Sequence, residues 1–317
     1  MPSRRLGAWI KTWNDSVSVS SEAEYNANAD IIDEVLPLNG GVIQADATIT
    51  QNPERTDNPF AQGLRAQTTA NGQRYTAALH SQNLAATMAI LDAPGLYQTL
   101  ADNIVSLAQT RFDAPWDAVN LELGYPPVGY EAAWADLVYL LCYEIRKAGI
   151  LLSFYFASGA DYYAYDPELM AQVADWIEFS TYSGLPAQKY AAIHQNLEDY
   201  LSTGFDLSQF AATLGNYSQV WLADGSDYNT GYSNAVDLIN GAGEAVHWIE
   251  SWQNDLWRLR CAAMPDGDRV YVPDADSLRC RLELLDRLGI YRASLFLPGQ
   301  GDPREWDVLA DWKAGNL

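Results

Sequence analysis

The stretch that decides the fold is 116-WDAVNLELGY-125. Side chains alternate along it, so that Asn120 and Glu122 share one face of an extended chain while Leu121 and Leu123 share the other. A short apolar run with this alternation predicts a buried strand. Because the strand ends at Glu122, two polar side chains point into one space, and one of them is a lone carboxylate.

Runs of the same kind recur along the chain, separated by stretches with apolar residues at the three- and four-residue spacing of helices. The predicted strands are residues 6–13, 41–48, 75–80, 118–123, 150–157, 176–182, 210–222 and 292–297. Predicted helices include residues 97–110, 130–148, 167–175 and 277–288, with Asp166 as an N-cap and Asp276 at another helix start. Eight alternations predict an α/β fold, a closed parallel (β/α)8 or TIM barrel. The 317 residues suit one such domain spanning 1–317.

One segment, residues 231–274, interrupts this alternation. It contains a helix-like stretch at 233–241 and short β-like runs on both sides of the turn 265-PDGD-268, which predicts a hairpin. We therefore expect a small α+β insertion between strands seven and eight that forms one wall of a cleft.

The charge of the chain limits its partners. The formal net charge is -22, and the sequence has only four lysines. Nucleic acid and anionic membrane surfaces are repelled by such a field, so we expect neither as a partner, whereas a neutral glycan is unaffected. No apolar run is long enough to span a membrane, and residues 1–5 lead into the first strand without a signal sequence. The expected location is therefore cytoplasmic as synthesised.

Cysteine and histidine are too few and too scattered to predict a metal or cofactor site. Three cysteines at positions 142, 261 and 280 fit neither a disulfide framework nor a zinc pattern, and we predict that they are packing residues. The three histidines at 80, 194 and 247 are equally dispersed.

Functional groups of such barrels lie where the strands end, at the C-terminal face. The predicted strand ends carry Asp46, His80, Glu122, Ser158, Tyr182, Asp224 and Phe296. Cleavage of a glycosidic bond requires a carboxylic acid that protonates the leaving oxygen. Glu122 is the leading candidate for this acid, and the alternative is a structural carboxylate bonded to Asn120 or Tyr182 inside the barrel.

Aromatic residues near the strand ends favour a carbohydrate ligand, because sugar rings present apolar C–H faces that stack on Trp and Tyr. The aromatic candidates for substrate binding are Trp9, Trp13, Tyr125, Tyr155 and Phe296. For each of them, core packing is the alternative.

Several of these motifs together resemble family 18 glycoside hydrolases. Residues 117–124 are similar to the fourth-strand signature of that family, Asp-Gly-x-Asp/Asn-x-Asp-x-Glu, and residues 177–183 resemble its sixth-strand Met-Thr-Tyr-Asp motif. Residues 33–49 and 274–312 resemble the second strand and the closing helix-strand-helix of the spore-germination, peptidoglycan-acting branch. The resemblance implies a TIM barrel that acts on polymers containing N-acetylglucosamine. It also implies that the substrate's own N-acetyl oxygen is the nucleophile.

The fourth-strand motif is degenerate, and two registers compete. Without a gap, Gly124 takes the position of the family's catalytic Glu, Glu122 takes the place of the helper Asp, and Phe296 replaces the usual Trp beneath the sugar. The barrel is then a non-hydrolysing relative, with Asp117 and Asn120 in matching positions. With a shift of two residues, Asn120 and Glu122 play the Asp-x-Glu pair, so that Glu122 is the acid while Tyr182 and Asn120 hold the N-acetyl group. We include Asp117 among the substrate-binding candidates.

Two other schemes remain open. In one, Glu122 is the acid/base and Asp224 the nucleophile of a retaining glycosidase, although Asp224 also suits a turn. In the other, the chain is a non-catalytic structural or carbohydrate-binding module of a larger particle, such as a phage tail or tail-like device, and its partners include the other subunits.

Overall fold

Eight strands form a parallel barrel in the computed structural model, which describes residues 3–13, 16–38, 40–51, 57–124, 126–156, 166–181, 206–249 and 259–317. Counting every strand in chain order, those of the barrel are β1 (Arg5–Ile10), β2 (Glu34–Pro37), β5 (Arg74–Ser81), β6 (Ala118–Glu122), β7 (Leu151–Phe156), β8 (Trp176–Ser180), β9 (Phe210–Gly215) and β15 (Arg292–Phe296). Each strand pairs in parallel with its neighbours, and the pairings of β1 with β15 and of β2 with β5 close the ring. The predicted (β/α)8 barrel is thereby confirmed.

Helices connect the strands and cover the outside of the barrel. They are α1 (Ser16–Asn28), α2 (Pro59–Ala70), α3 (Leu84–Leu91), α4 (Gly95–Thr110), α5 (Glu131–Lys147), α6 (Pro167–Val173), α7 (Tyr232–Ala242), α8 (Ala275–Leu288) and α9 (Glu305–Ala314). Asp166 caps α6 as predicted, accepting hydrogen bonds from the backbone N–H groups of Glu168 and Leu169, with Pro167 in the first turn. No helix within the described ranges is long and apolar enough to cross a membrane.

Strand alternation divides the buried side chains into an outer core and a barrel interior. On β8, Ile177 and Phe179 belong to the large apolar core between strands and helices, whereas Trp176 belongs to a separate cluster within the ring. Glu178 shares the inner face of β8 with Trp176 and is buried as well. A polar residue in the middle of a barrel strand is therefore buried whichever face it occupies.

A second sheet follows β9 in the chain. Its strands are β10 (Ser218–Trp221), β11 (Asp227–Thr230), β12 (His247–Ile249), β13 (Leu259–Ala263) and β14 (Arg269–Val272), all antiparallel in the order β11-β10-β14-β13-β12. Helix α7 packs on this sheet, with Ala235 and Ile239 against Val220 and Val270. The predicted turn at 265–268 joins β13 to β14, and Gly267 takes the positive φ of 95° that the turn needs.

Three predicted boundaries are wrong, each for a local reason. The second barrel strand is Glu34–Pro37 rather than 41–48, of which residues 42–43 form the short strand β3 (Val42–Ile43) beside β4 (Ile49–Thr50). The predicted strand 210–222 is interrupted at Asn216 and continues as β10, so the inserted sheet begins before residue 231. Helix α8 is capped by Asp274, not Asp276, because Asp274 accepts from the backbone N–H of Ser277 at 2.9 Å.

Candidate functional site

Glu122 is the last residue of β6 and stands at the C-terminal end of the barrel. It lies on the same face as Asn120, whose side chain points into the ring, and is paired in register with His80 of β5. The side chain is exposed to solvent, and within the described ranges its carboxylate has no hydrogen bond or ion pair. Burial among the surrounding protein atoms nevertheless raises the pKa of Glu122 above the ordinary glutamate value. Both properties suit a carboxyl group at the floor of an open cleft.

Gly124 is held where a side chain does not fit. A Cβ built at this position lies 2.8 Å from Cα of Leu84 and 3.2 Å from Oγ1 of Thr87, both on α3. The backbone N–H of Gly124 donates to Oγ of Ser81 and to Oγ1 of Thr87, each at 3.0 Å. Position 124 is therefore closed by its contact with α3, and Glu122 is the acidic residue that this strand end presents to solvent.

Asn120 lies one layer deeper and is 1% exposed. Its Nδ2 donates to Oγ of Ser153 at 2.9 Å and to Oε2 of Glu178 at 3.3 Å. The amide is therefore buried and bonded within the barrel. Its role of holding the substrate's N-acetyl group stays a prediction.

Glu178 is the centre of a polar network that the sequence did not single out. It is 1% exposed, and its Oε1 accepts from the indole Nε1 of Trp9 at 2.9 Å and from Oγ1 of Thr213 at 2.8 Å. Ser294 also donates to Oε1, and Asn120 bonds the other oxygen. Burial outweighs these donors and raises the pKa of Glu178 to about 7. The network joins four strands to the interior face of β8.

Aromatic side chains line the ring above this network. Trp9 packs edge-on against Tyr155, with ring centroids 5.4 Å apart, and against Phe296 at 6.2 Å. Trp9 and Tyr155 are buried, whereas Phe296 is half-buried and also contacts Tyr217 at 6.1 Å. Trp13 is half-buried as well and donates its indole N–H to the backbone oxygen of Leu38 at 3.2 Å. Phe296 and Trp13 are therefore the more open rings of this set, and Trp9 packs against Phe296.

Asn216 fixes the backbone beneath Phe296. Its backbone N–H donates to the Phe296 carbonyl at 2.9 Å, and its side-chain oxygen accepts from the backbone N–H of Leu297. Its Nδ2 donates at 2.8 Å to Glu305, a fully buried carboxyl whose pKa burial raises to about 8. Gly301 allows this approach, since a Cβ there would lie 2.0 Å from Oε2 of Glu305. The sequence did not signal this unit, because Asn216 lies inside the predicted strand 210–222.

Of the remaining candidates, some lie away from the end of the barrel that carries Glu122, and others lie outside the residues that the structure describes. Asp117 precedes β6 at its opposite end, where its carboxylate forms two 3.0 Å hydrogen bonds with Arg65 and accepts from the backbone N–H of Tyr75. Its contact with substrate stays a prediction. Asp224 lies in the turn between β10 and β11 and bonds Ser226, which fits the turn interpretation. Tyr125 and Tyr182 lie outside the described residues.

No group of three or more histidine, cysteine or acidic residues that could hold a metal ion occurs in the described ranges. The three cysteines are free thiols. Cys142 is buried against the helices of the outer core, where burial raises the pKa of its thiol.

Comparison with known proteins found similar structures but no similar sequences. No protein-family model matches the chain, and no curated protein does. The C-terminal domain of a putative chitinase from Desulfitobacterium hafniense superposes with a TM-score of 0.82 over 100% of both chains, at 17% identity. The spore cortex-lytic enzyme SleL of Bacillus megaterium superposes with a TM-score of 0.80 over 98% of this chain and 75% of its own, at 18% identity. The chain has the fold of these enzymes.

A third similar structure carries a ligand. Catalytic domain 2 of the Group II chitinase of Ostrinia furnacalis, solved as a mutant in complex with penta-N-acetylchitooctaose, (NAG)5, superposes with a TM-score of 0.77 at 14% identity, covering 99% of this chain and 97% of its own. The fold that the resemblance to family 18 glycoside hydrolases implies, a TIM barrel, is thereby confirmed.

Proposed function

We propose that this barrel hydrolyses polymers containing N-acetylglucosamine, either peptidoglycan or chitin-like, with Glu122 as the general acid. The observation that carries the proposal is the placement of Glu122: it ends a barrel strand, is open to solvent and has a raised pKa. A carboxyl group whose pKa is raised can donate its proton to a glycosidic oxygen at a higher pH than an ordinary glutamate can.

One carboxylate is sufficient for this chemistry if the substrate supplies the nucleophile. The resemblance to family 18 implies that the N-acetyl oxygen of the sugar attacks its own anomeric carbon, which places the reaction outside the usual two-carboxylate scheme. Glu122 then protonates the leaving oxygen and afterwards accepts a proton from the incoming water. Tyr182, in the position of the family's sixth-strand tyrosine, is proposed to hold the N-acetyl group.

The aromatic side chains of the mouth are proposed to bind the sugar rings. Phe296 and Trp13 present half-buried ring faces, and Trp9 beneath them keeps Phe296 in place through its edge contact. A glycan without charge approaches a chain of net charge -22 without repulsion.

The test is the variant Glu122→Gln, assayed on an N-acetylglucosamine polymer and on peptidoglycan. Loss of the acid should lower turnover by about 100-fold or more, while calorimetric affinity for the glycan stays close to that of the wild type. Glu244→Gln, at an exposed glutamate after α7, removes the same charge and should keep full turnover. Wild-type turnover that survives Glu122→Gln would overturn the mechanism.

A second candidate function is glycan binding without turnover. Gly124 favours this candidate. In the gap-free register it takes the position of the catalytic Glu of family 18, and its contact with α3 leaves no room for a side chain. Calorimetry or a glycan array on the wild-type chain would then show affinity with no released product. The alternative drawn from the sequence, a non-catalytic module of a phage tail or tail-like particle, also requires glycan binding without turnover. The other subunits of such a particle remain predicted partners.

A further inference from the structure

The end of the barrel opposite to Glu122 carries an unusual concentration of arginine. Strands β1, β5 and β15 begin with Arg5, Arg74 and Arg292, respectively. Strand β2, which lies between β1 and β5 in the ring, begins with Glu34. Arg5 and Arg292 are register partners on adjacent strands. Three guanidinium groups therefore surround one carboxylate in a chain whose net charge is -22.

Glu34 does not neutralise these three arginines. Its Oε2 lies 3.4 Å from Nη2 of Arg292 and 3.9 Å from Nη1 of Arg74, and its Oε1 accepts from Thr76. Arg5 is exposed and makes no ion pair within the described ranges. Burial, together with the charges of Arg74 and Arg5, lowers the pKa of Arg292 despite the nearby carboxylate. The cluster retains an excess of positive charge.

The arginines are held in place by an aromatic ring rather than by further acids. Trp176, the first residue of β8, is 1% exposed and lies beneath two guanidinium groups. The Arg292 group is 4.5 Å from its ring centroid and the Arg74 group 5.0 Å. Cation–π contacts of this kind orient a guanidinium while leaving its N–H donors available at the edge.

A cavity of about 580 Å³ opens beside Arg5, Arg74 and Glu34 of this cluster, whereas Arg292 is not among its lining residues. Its walls include Arg4, Arg5, Arg74, Lys313, Asp33 and Glu34. Two of these cations already have hydrogen-bonded partners: Arg4 forms a two-bond pair with Asp286, and Lys313 lies 2.8 Å from Asp33. Arg74 lies 3.9 Å from Glu34, beyond hydrogen-bond distance, so its N–H donors and those of Arg5 remain for a ligand in the cavity.

We propose that this cavity at the N-terminal end of the barrel binds a phosphate group. Guanidinium groups from strands on both sides of Glu34 approach the cavity from different directions, and a tetrahedral phosphate has oxygen atoms for each of them. A phosphate is also small enough for this open cavity, whereas a nucleic-acid strand would meet the repulsion of the whole chain. The site is separate from the glycan cleft and does not depend on the proposed hydrolase activity.

The test is calorimetric titration of the full chain with inorganic phosphate and, separately, with a sugar 6-phosphate, at about 0.15 M ionic strength. The wild type should bind saturably, and the double variant Arg5→Gln/Arg74→Gln should lose at least about tenfold in affinity. Arg279→Gln is the matched control: this arginine on α8 lies 3.7 Å from Asp311, and its loss should leave phosphate binding unchanged. Melting temperatures without phosphate establish that each variant is folded.

The two ligands distinguish the source of the phosphate. Equal affinity for both means that the free anion is the ligand, whereas tighter binding of the sugar phosphate means that a phosphorylated glycan is. Phosphate should also raise the melting temperature of the wild type and of Arg279→Gln, but not that of the double variant. The absence of saturable binding to the wild type, or equal binding to the folded double variant, would overturn the proposal.

Discussion

The indole Nε1 of Trp9 lies 2.9 Å from Oε1 of Glu178, so an aromatic residue under the candidate sugar site is bonded to a carboxyl group in the middle of the barrel. Trp9 also contacts Phe296 and Tyr155, which lie nearer the mouth. Since Glu178 bonds Asn120 as well, the two residues beneath the cleft are held by one buried group. The protonation of Glu178 is therefore relevant both to the stability of the barrel and to the shape of the cleft.

We expect the stability of the protein to fall as the pH rises from about 5 to about 7. The pKa of Glu178 is about 7 in the folded chain and 4.5 for an ordinary glutamate, so in this range the folded state binds more protons than the unfolded state. The corresponding loss in the free energy of unfolding is about 3 kcal/mol, which urea denaturation at a series of pH values measures.

The variant Glu178→Gln is the control for this prediction, because the amide keeps the shape of the side chain but does not titrate. It should reduce the slope of the pH dependence below about pH 7 by the contribution of Glu178. Glu305, with a pKa of about 8, contributes a similar decrease that extends to higher pH and should persist in the variant. An unchanged pH dependence in Glu178→Gln would show that Glu178 does not titrate in this range.

The pH dependence of turnover reports on Glu122 itself. A general acid acts only while protonated, and burial raises the pKa of Glu122. We therefore expect kcat to fall at high pH with an apparent pKa above 4.5, the ordinary glutamate value for this group. The same decrease in kcat at high pH should remain in Glu178→Gln, which distinguishes the titration of Glu122 from that of Glu178. A decrease in kcat with an apparent pKa at or below the ordinary glutamate value would contradict the assignment of Glu122 as the acid.

Gly124→Ala should destabilise the protein by about 1–3 kcal/mol, because its methyl group would meet the Leu84 backbone at 2.8 Å and must displace α3 or β6. Gly63→Ala is the matched control. Gly63 lies within α2, a Cβ there meets no atom within 4 Å, and alanine should stabilise the helix by about 0.5–1 kcal/mol. Urea denaturation of both variants measures the difference. Equal stability of Gly124→Ala and the wild type would show that α3 yields easily at this position.

Asp117→Ala should lower the free energy of unfolding by about 1–3 kcal/mol and leave glycan affinity unchanged. The substitution removes the two bonds to Arg65 and the acceptor for the backbone N–H of Tyr75, all at the end of β6 away from the cleft. Asp117→Asn keeps an acceptor for Tyr75 and should lose less. Denaturation and glycan titration of the same samples separate stability from binding. Weaker glycan binding by folded Asp117→Ala would restore Asp117 to the site.

The alternation of strand and helix predicted the barrel because both follow from local apolar spacing, as at β6 and α5. The second strand was missed because Glu34–Pro37 has only four residues and ends in proline, whereas 41–48 has the longer β-like composition. Its location depends on contacts with β1 and β5, such as the pairing of Glu34 with Gly7 and with Arg74. Contacts between residues far apart in the chain are not contained in local spacing.

The sequence predicted the part of the candidate site that a single strand end provides. It did not predict the part that is built from several strands. Glu122 follows from the alternation of β6, and the structure places it at the mouth. Glu178 was passed over because an acidic residue within an apolar run suggests a solvent-facing position. A barrel strand buried on both faces has no such position, so Trp176 and Ser180 on the same face were the available signal. The arginines at three strand starts become a cluster only when the ring closes.

The network around Glu178 also bears on how the ring is assembled. Its donors include Trp9 on the first strand of the barrel and Ser294 on the last, which occupy opposite ends of the chain and become neighbours only at closure. Any half-barrel folding intermediate that lacks either strand leaves the Glu178 carboxyl group short of a donor and open to water. The chain gains this set of bonds only as a complete circle, which favours all-or-none assembly over stable partial barrels.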